Sequence, residues 1–222
     1  MLSLGAPLSL SFIGIALVSA TVITTLRLTA DASYADTVAA YGIVTRILSF
    51  AFMPLMAVAL AMQAIVGNNV GAGLFRRSDA ALRIAVASTF AYCLFVEAFL
   101  LGFSDQVGAA FVGSSGVTAE TGRILRPMIS VYLFTGPVLI MALYFQAVGR
   151  PARAALLTLI KPFLLTPALI ITLAAIWGAD VLWYAFPVTD TTIAILAAAV
   201  SLDSLKGSRA GAGFGLSPAG SG

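Results

Sequence analysis

Six stretches of this chain, at about 5–29, 37–66, 80–102, 124–148, 153–176 and 181–202, are each long and largely apolar. Crossing the hydrocarbon core of a bilayer takes about 20 apolar residues in an α-helix rising 1.5 Å per residue. Six such stretches in succession leave a water-soluble fold no surface to present. Charged residues make up only 9% of the chain, against roughly 25% in a soluble domain. The expected fold class is therefore all-α, a polytopic membrane protein of six transmembrane helices filling residues 1–202. Short connections carry the breaker residues: Asp31 to Asp36, Gly67 to Asp79, Ser104 to Gly122, Gly149-Arg150-Pro151 and Gly178-Ala179-Asp180. From Asp203 the chain turns to Gly, Ser, Ala and Pro, which reads as a disordered tail over 203–222.

The placement of basic residues sets an orientation. Arg76, Arg77, Arg150 and Arg153 lie in the loops after the second and fourth helices, and Lys206 and Arg209 in the tail. The opposite loops carry Asp31, Asp36, Asp105, Glu120 and Asp180, with Arg27, Arg123 and Arg126 flanking them. The positive-inside rule then puts both termini in the cytoplasm, in keeping with an even number of spans. The first span lacks the basic flank of a cleaved signal and is followed by further spans, so it reads as part of the mature fold.

Composition also removes whole classes of function. With no His, imidazole relays and His metal sites are absent. The single cysteine, Cys93, sits in an apolar run and reads as a buried structural thiol. No cofactor is expected, and no paired acids or nucleophile–base set supports an enzyme. The cytoplasmic arginines come in twos at positions that topology explains, so nucleic acid is not an expected partner. Gly67-Asn68-Asn69-Val70-Gly71-Ala72-Gly73 lacks the Lys-Ser/Thr of a phosphate-binding loop and reads as a glycine-rich helix stop.

Four ionisable residues fall well inside the spans: Arg46, Glu97, Lys161 and Asp190. A charge at the centre of a membrane helix costs at least about 2.5–3.5 kcal/mol, so such residues face the bundle interior or a wet cavity. Arg46 and Asp190 each lie about nine residues, or about 13 Å, from the outer face. At one level they are candidates for an internal ion pair, or for handling a proton or a substrate. Lys161 is also near mid-membrane, counted from the cytoplasmic end. Glu97 lies near the outer end of its helix, where snorkelling to the interface or linking helices are the plainer expectations.

The second span carries Gly42, Thr45, Arg46, Ser49, Met53, Met56, Leu60, Gln63 and Gly67 at three- and four-residue spacing. This gathers small, polar and thioether groups on one face, which either packs on another helix or lines a cavity. Met141 and Tyr144, three apart on the fourth span, offer an aromatic and thioether surface to a cation or else belong to helix packing. Pro54, Pro127, Pro137, Pro162, Pro167 and Pro187 mark places where spans bend.

Residues Arg46 to Phe50, Met53-Pro54, Ala61 to Gln63 and Gly67 to Gly73 together resemble the eighth helix and following loop of the MATE (multidrug and toxin extrusion) transporters. Tyr144-Phe145-Gln146-Ala147-Val148-Gly149-Arg150-Pro151 resembles the end of that family's tenth helix and its turn. Phe186-Pro187-Val188-Thr189-Asp190 is similar to the start of its last helix in a bacterial multidrug branch. The resemblance runs over about residues 2–202. It implies a secondary antiporter of the bacterial inner membrane that exports cationic lipophilic compounds in exchange for protons or sodium. It also implies that this chain is the C-terminal six-helix lobe of a twelve-helix protein, whose partner is an N-terminal lobe or a second copy of itself.

In that setting Arg46, Ser49, Met53, Gln63, Met141 and Tyr144 are the expected cavity residues. One sodium-coupled branch binds its cation with acids on the seventh and tenth helices, and the matching spans here, 5–29 and 124–148, hold no Asp or Glu. A proton-coupled branch uses an aspartate on the first helix, in the lobe that this chain does not match. Asp190 and Glu97, with Arg46 as a possible ion-pair partner, remain as the coupling candidates. Two alternatives stand beside this reading: a truncated or split-gene product without transport of its own, and a flippase of related architecture for a lipid-linked amphiphile. Arg46 and Lys161 are few for a pyrophosphate-linked cargo.

Overall fold

The computed structural model of the chain describes residues 2–29, 34–111 and 114–207. The described residues are helical almost throughout and contain no strand: α1 (Leu2–Thr29), α2 (Tyr34–Gly71), α3 (Phe75–Gly102), α4 (Ser104–Phe111), α5 (Ser115–Ile129), α6 (Thr135–Ala147), α7 (Pro151–Ile160), α8 (Thr166–Trp177) and α9 (Ala185–Gly207). Short 3-10 turns at Tyr132–Phe134 and Leu182–Tyr184 and a π-helical turn at Lys161–Leu165 join them. Five helical runs are long and apolar enough to cross a membrane. The sixth span is the pair α5 and α6, bent by 48°. The described residues thus hold five candidate spans, or six where the bent pair is counted as one span.

Three differences from the sequence reading concern ends and loops. Helix α2 runs on to Gly71, through most of the glycine-rich stretch read as a helix stop, and α3 begins at Phe75 rather than 80, so the connection is only Ala72 to Leu74. The stretch read as a loop between the third and fourth spans holds α4 and the first two turns of α5, so the fourth span starts at Ser115 rather than 124. The last helix runs to Gly207, past the expected end at 202. Residues 208–222 of the expected tail lie outside the described residues.

The break in the fourth span follows from proline chemistry. Pro127 sits in the last turn of α5 and offers no N–H, and the helix closes with Ser130 donating to the Pro127 carbonyl. The chain then turns through Tyr132–Phe134 before α6 begins. A break inside a hydrocarbon layer leaves amides that need acceptors. Glu97 on α3 supplies one: its Oε2 accepts from the Leu133 N–H at 2.7 Å. The carboxylate is buried, so it caps the bend instead of snorkelling outward.

Pro162 produces a different solution in the fifth span. The ladder there widens, and the Thr166 N–H reaches back five residues to the Lys161 carbonyl, the signature of a π-helical turn. Several hydroxyls within the spans donate to carbonyls four residues back, as Thr21 to Leu17, Ser49 to Thr45, Thr172 to Ala168 and Thr192 to Val188 do. Exposed threonines therefore need no water. Phe12, Phe95, Ile84 and Ile195 are each well over half exposed. Helices that are apolar all round, with outward-facing Phe and Ile, suit a lipid surround.

In the bundle α2 packs on α3, α5 and α6, while α1 packs on α7, α8 and the π-helical turn. Helix α9 meets α6, α8, α5 and both 3-10 turns. One buried cluster gathers Leu26, Tyr41, Val44, Ile124, Leu125 and Trp183, with the rings of Tyr41 and Trp183 5.6 Å apart. A second gathers Met62, Leu82, Leu143, Tyr144, Phe145 and Leu157. The closest helix contacts rest on glycine. A Cβ on Gly136 would fall 2.8 Å from Thr89 Cβ and 3.0 Å from Cys93 Sγ, and one on Gly14 would fall 2.7 Å from Pro162 Cβ. These small residues let α6 approach α3, and α1 approach the π-helical turn.

Two outcomes follow for the purified protein in detergent. Gly136→Val should force α3 and α6 apart and cost about 1–3 kcal/mol, read as a lower melting temperature. Glu97→Ala should leave the Leu133 amide without its acceptor, at about 1–3 kcal/mol, whereas Glu97→Gln keeps an acceptor oxygen and should recover most of that loss.

Candidate functional site

The exposed face of α2 carries the first group of candidates. Arg46, Ser49 and Met53 are all exposed, and Met53 shows 61% of its surface. Helical periodicity puts Arg46, Met53 and Leu60 nearly in line, and Leu60 is exposed too. Gln63, further along, is half-buried. The Ser49 hydroxyl is already spent on the Thr45 carbonyl at 2.7 Å. Arg46 has no hydrogen-bond or ion-pair partner among the described residues. An unpaired guanidinium on an apolar span has to meet its counter-charge or water from outside this bundle.

Asp190 lies elsewhere. Depth along the helices puts Arg46 and Asp190 at one level, but level alone does not make a pair. Helices α2 and α9 both pack on α5 and α6 but not on each other, and α9 also meets α8 and the π-helical turn. Asp190 is accordingly paired with Lys161, whose Nζ donates to Asp190 Oδ1. The expected Arg46–Asp190 pair is replaced by a Lys161–Asp190 pair. The same depth count, run from the opposite end of the fifth span, placed Lys161 near mid-membrane. Its match to Asp190 needed only the knowledge that those two helices touch.

Around this pair the polar groups are close. Thr189 and Thr166 are buried and their hydroxyl oxygens lie 3.5 Å apart. Tyr132, in the 3-10 turn that packs on α9, is buried, and its hydroxyl has no hydrogen-bond partner among the described residues. Sequence reasoning passed over Tyr132 because a lone tyrosine in an apolar run looks like packing. The signal available was its place beside the proline-induced break.

Met141 and Tyr144 part company in the structure. Met141 is half-buried and Tyr144 fully buried, packed edge-on to Phe145 with centroids 6.0 Å apart. Three-residue spacing gives a shared side of the helix, but the second core covers the Tyr144 end of it. In this lobe Tyr144 is a core residue and offers no surface to a ligand.

Two ionic clusters fasten the ends of the bundle. Arg123 bridges Glu120 and Asp180, each at 2.5 Å, and Glu120 accepts from Thr37 at 3.1 Å. Arg153 pairs with Asp203 at 2.8 Å and lies over the Phe145 ring at 5.7 Å. An open groove of about 480 Å³ runs between α2 and α3, walled by Val58, Met62, Ile65 and Ile84 with Asn69 and Arg77 along it. It lies roughly a third of a turn around α2 from the Arg46–Met53 line. No cluster of three or more His, Cys, Asp or Glu able to hold a metal occurs among the described residues.

Comparison with known proteins places this architecture. The MatE family model matches residues 7–172. The chain is 24% identical over 181 residues to "Probable multidrug resistance protein YoeA" of Bacillus subtilis (strain 168), spanning 82% of this chain and 35% of that protein. Its fold matches a multidrug resistance MATE family transporter of the MOP superfamily in an outward-facing conformation, with a TM-score of 0.81 and 20% identity, over 93% of this chain and 47% of that one. It matches a MOP superfamily transporter from Pyrococcus furiosus with a TM-score of 0.80 and 18% identity, over 93% and 47% of the two chains. The chain therefore spans about half the length of the solved structures it matches, and about a third of the curated relative. It is a multi-pass membrane protein, a transporter-family chain rather than an enzyme, and it belongs to the MatE family.

Proposed function

We propose that this chain is the C-terminal lobe of a MATE-type antiporter that exports cationic lipophilic compounds across a bacterial inner membrane, driven by proton or sodium entry. The observation that carries the reading is the exposed α2 face, with an unpaired arginine and flexible thioether surface in the middle of an apolar span. Such a face suits one wall of a wet cavity, because it would be costly against lipid and thioethers accommodate varied apolar ligands. Arg46, Ser49, Met53 and Gln63 form this wall, and Met141 contributes from the fourth span. The counter-charge to Arg46 then comes from the other lobe, a separate N-terminal chain or a second copy. With both termini on the cytoplasmic side, either lobe inserts with the same topology.

Within this reading the exchanged ion is handled by Asp190, an acid held inside the lobe by an ion pair, with a contribution from Glu97 at the bend. Neutralising Asp190 should abolish coupling and leave insertion intact.

The test is ethidium efflux from pump-deficient bacteria expressing the chain alone or with an N-terminal MATE lobe. Gradient-dependent efflux is expected, falling to the background rate in Asp190→Asn and reduced several-fold in Arg46→Ala at equal membrane content. Absence of efflux in both settings, with insertion confirmed, would sink the transport reading. Crosslinking through a cysteine introduced at Met53 checks the assembly: a product with the co-expressed lobe, or with a second copy, is expected across this face, and solely monomer would contradict it.

A further inference from the structure

The open groove between α2 and α3 has the length and the chemistry of a lipid chain. It runs from Val58 to Asn69 on α2 and from Ser88 back to Arg77 on α3. Eleven residues along either helix span about 16 Å, close to one leaflet, which is half of a hydrocarbon core about 30 Å thick. At the inner end the Ser88 hydroxyl is spent on the Ala85 carbonyl at 3.1 Å, so the surface left there is apolar. Ile65 and Ile84 flank the groove and are 50% and 70% exposed.

Charge gathers at the other end. Arg77 and Asn69 close the groove beside the short connection Ala72 to Leu74. Arg76 and Arg77 are exposed, and neither has an ion-pair partner among the described residues. A guanidinium presents five N–H donors and a side-chain amide two more, a set that fits the oxygens of a phosphate diester. This end belongs to the basic side of the lobe, which the positive-inside rule assigns to the cytoplasm. Basic pockets between membrane helices on that side receive anionic lipid headgroups. About 480 Å³ along this length takes a polymethylene chain, whereas an α-helix is about 10–12 Å across and would only rest on Ile65 and Ile84.

We infer that the α2–α3 groove binds one anionic phospholipid, with its phosphate on Arg77 and Asn69 and one acyl chain laid past Ile65 and Ile84 towards Val58. The single free cation at the mouth of an otherwise apolar slot selects this occupant, because it is met by a ligand with one anionic end and one hydrocarbon end. The bound lipid ties the last turns of α2 to the first turns of α3. It lies about a third of a turn around α2 from the Arg46–Met53 line, so a lipid here and a second lobe there occupy different faces. The inference stands whether or not the chain transports.

The purified full chain in detergent is offered phosphatidylglycerol or phosphatidylcholine, and bound lipid is counted by native mass spectrometry. One phosphatidylglycerol should stay bound in preference to phosphatidylcholine. Arg77→Gln should weaken that lipid about five-fold, the effect of one cation near a lipid surface, and abolish the preference. Ile84→Trp, at an exposed position, should lower retention of both lipids with the charge unchanged, and Ile65→Trp makes the same comparison if Ile84→Trp does not fold. Arg83→Gln, exposed but a third of a turn around α3 from Arg77, should retain lipid as the wild type does. Equal retention of the two lipids by the wild type, or a loss in Arg83→Gln equal to that in Arg77→Gln, reduces the site to diffuse surface charge and overturns it. Retention unchanged in the tryptophan variants, or displacement of the lipid by inorganic phosphate, removes the groove from the site and overturns it too. A dimer that Ile84→Trp dissociates would give the groove to a second copy of the chain instead.

Discussion

Inside hydrocarbon every polar group must find its partner within the protein, and this constraint organises the bundle. Backbone amides are satisfied by running the chain as helices, and span hydroxyls by bonding to the previous turn. Trouble arises where proline interrupts the ladder. At the fourth span the remedy comes from another helix, with Glu97 accepting from the Leu133 amide. At the fifth the ladder widens into a π-helical turn. Both remedies put irregular backbone next to ionisable side chains, and both sit beside α9. The polar interior of the lobe is thus a consequence of where its prolines fall.

The same constraint separates the charged residues into two kinds. Glu97 and the Lys161–Asp190 pair are satisfied within the lobe. Arg46 is not, and it stands on an exposed helix face with Ser49 and Met53. The described residues thus hold one paired polar centre and one exposed face that carries Arg46, in a chain spanning about half of the solved transporter structures it matches.

Much of the architecture was legible from residues alone. The apolar spans and the family resemblance rest on local properties: apolar length, proline and glycine positions, and short ordered motifs. The candidate site was legible in part. Depth arithmetic found Arg46, Lys161 and Asp190 in the membrane interior but chose the wrong cation for Asp190, because distance along a helix says nothing about which helices touch. Spacing put Met141 and Tyr144 on one side of the fourth span but not which end the second core would cover. Tyr132 offered in sequence only its place beside the proline-induced break, since an orphan hydroxyl exists only once its neighbours are in place.

The sequence by itself determined that this protein lives in a membrane, where its long apolar runs lie, and where proline removes an amide from them. Those outcomes follow from short-range physics: a long apolar run is insoluble wherever it lies, and a proline lacks its N–H in any context. Only the tertiary structure decided that Lys161 neutralises Asp190, that Glu97 caps a broken helix, and that Arg46 is left unpaired. Each of these depends on which faces of distant segments meet, and that is set by close packing at positions such as Gly136 and Gly14, over the whole bundle at once.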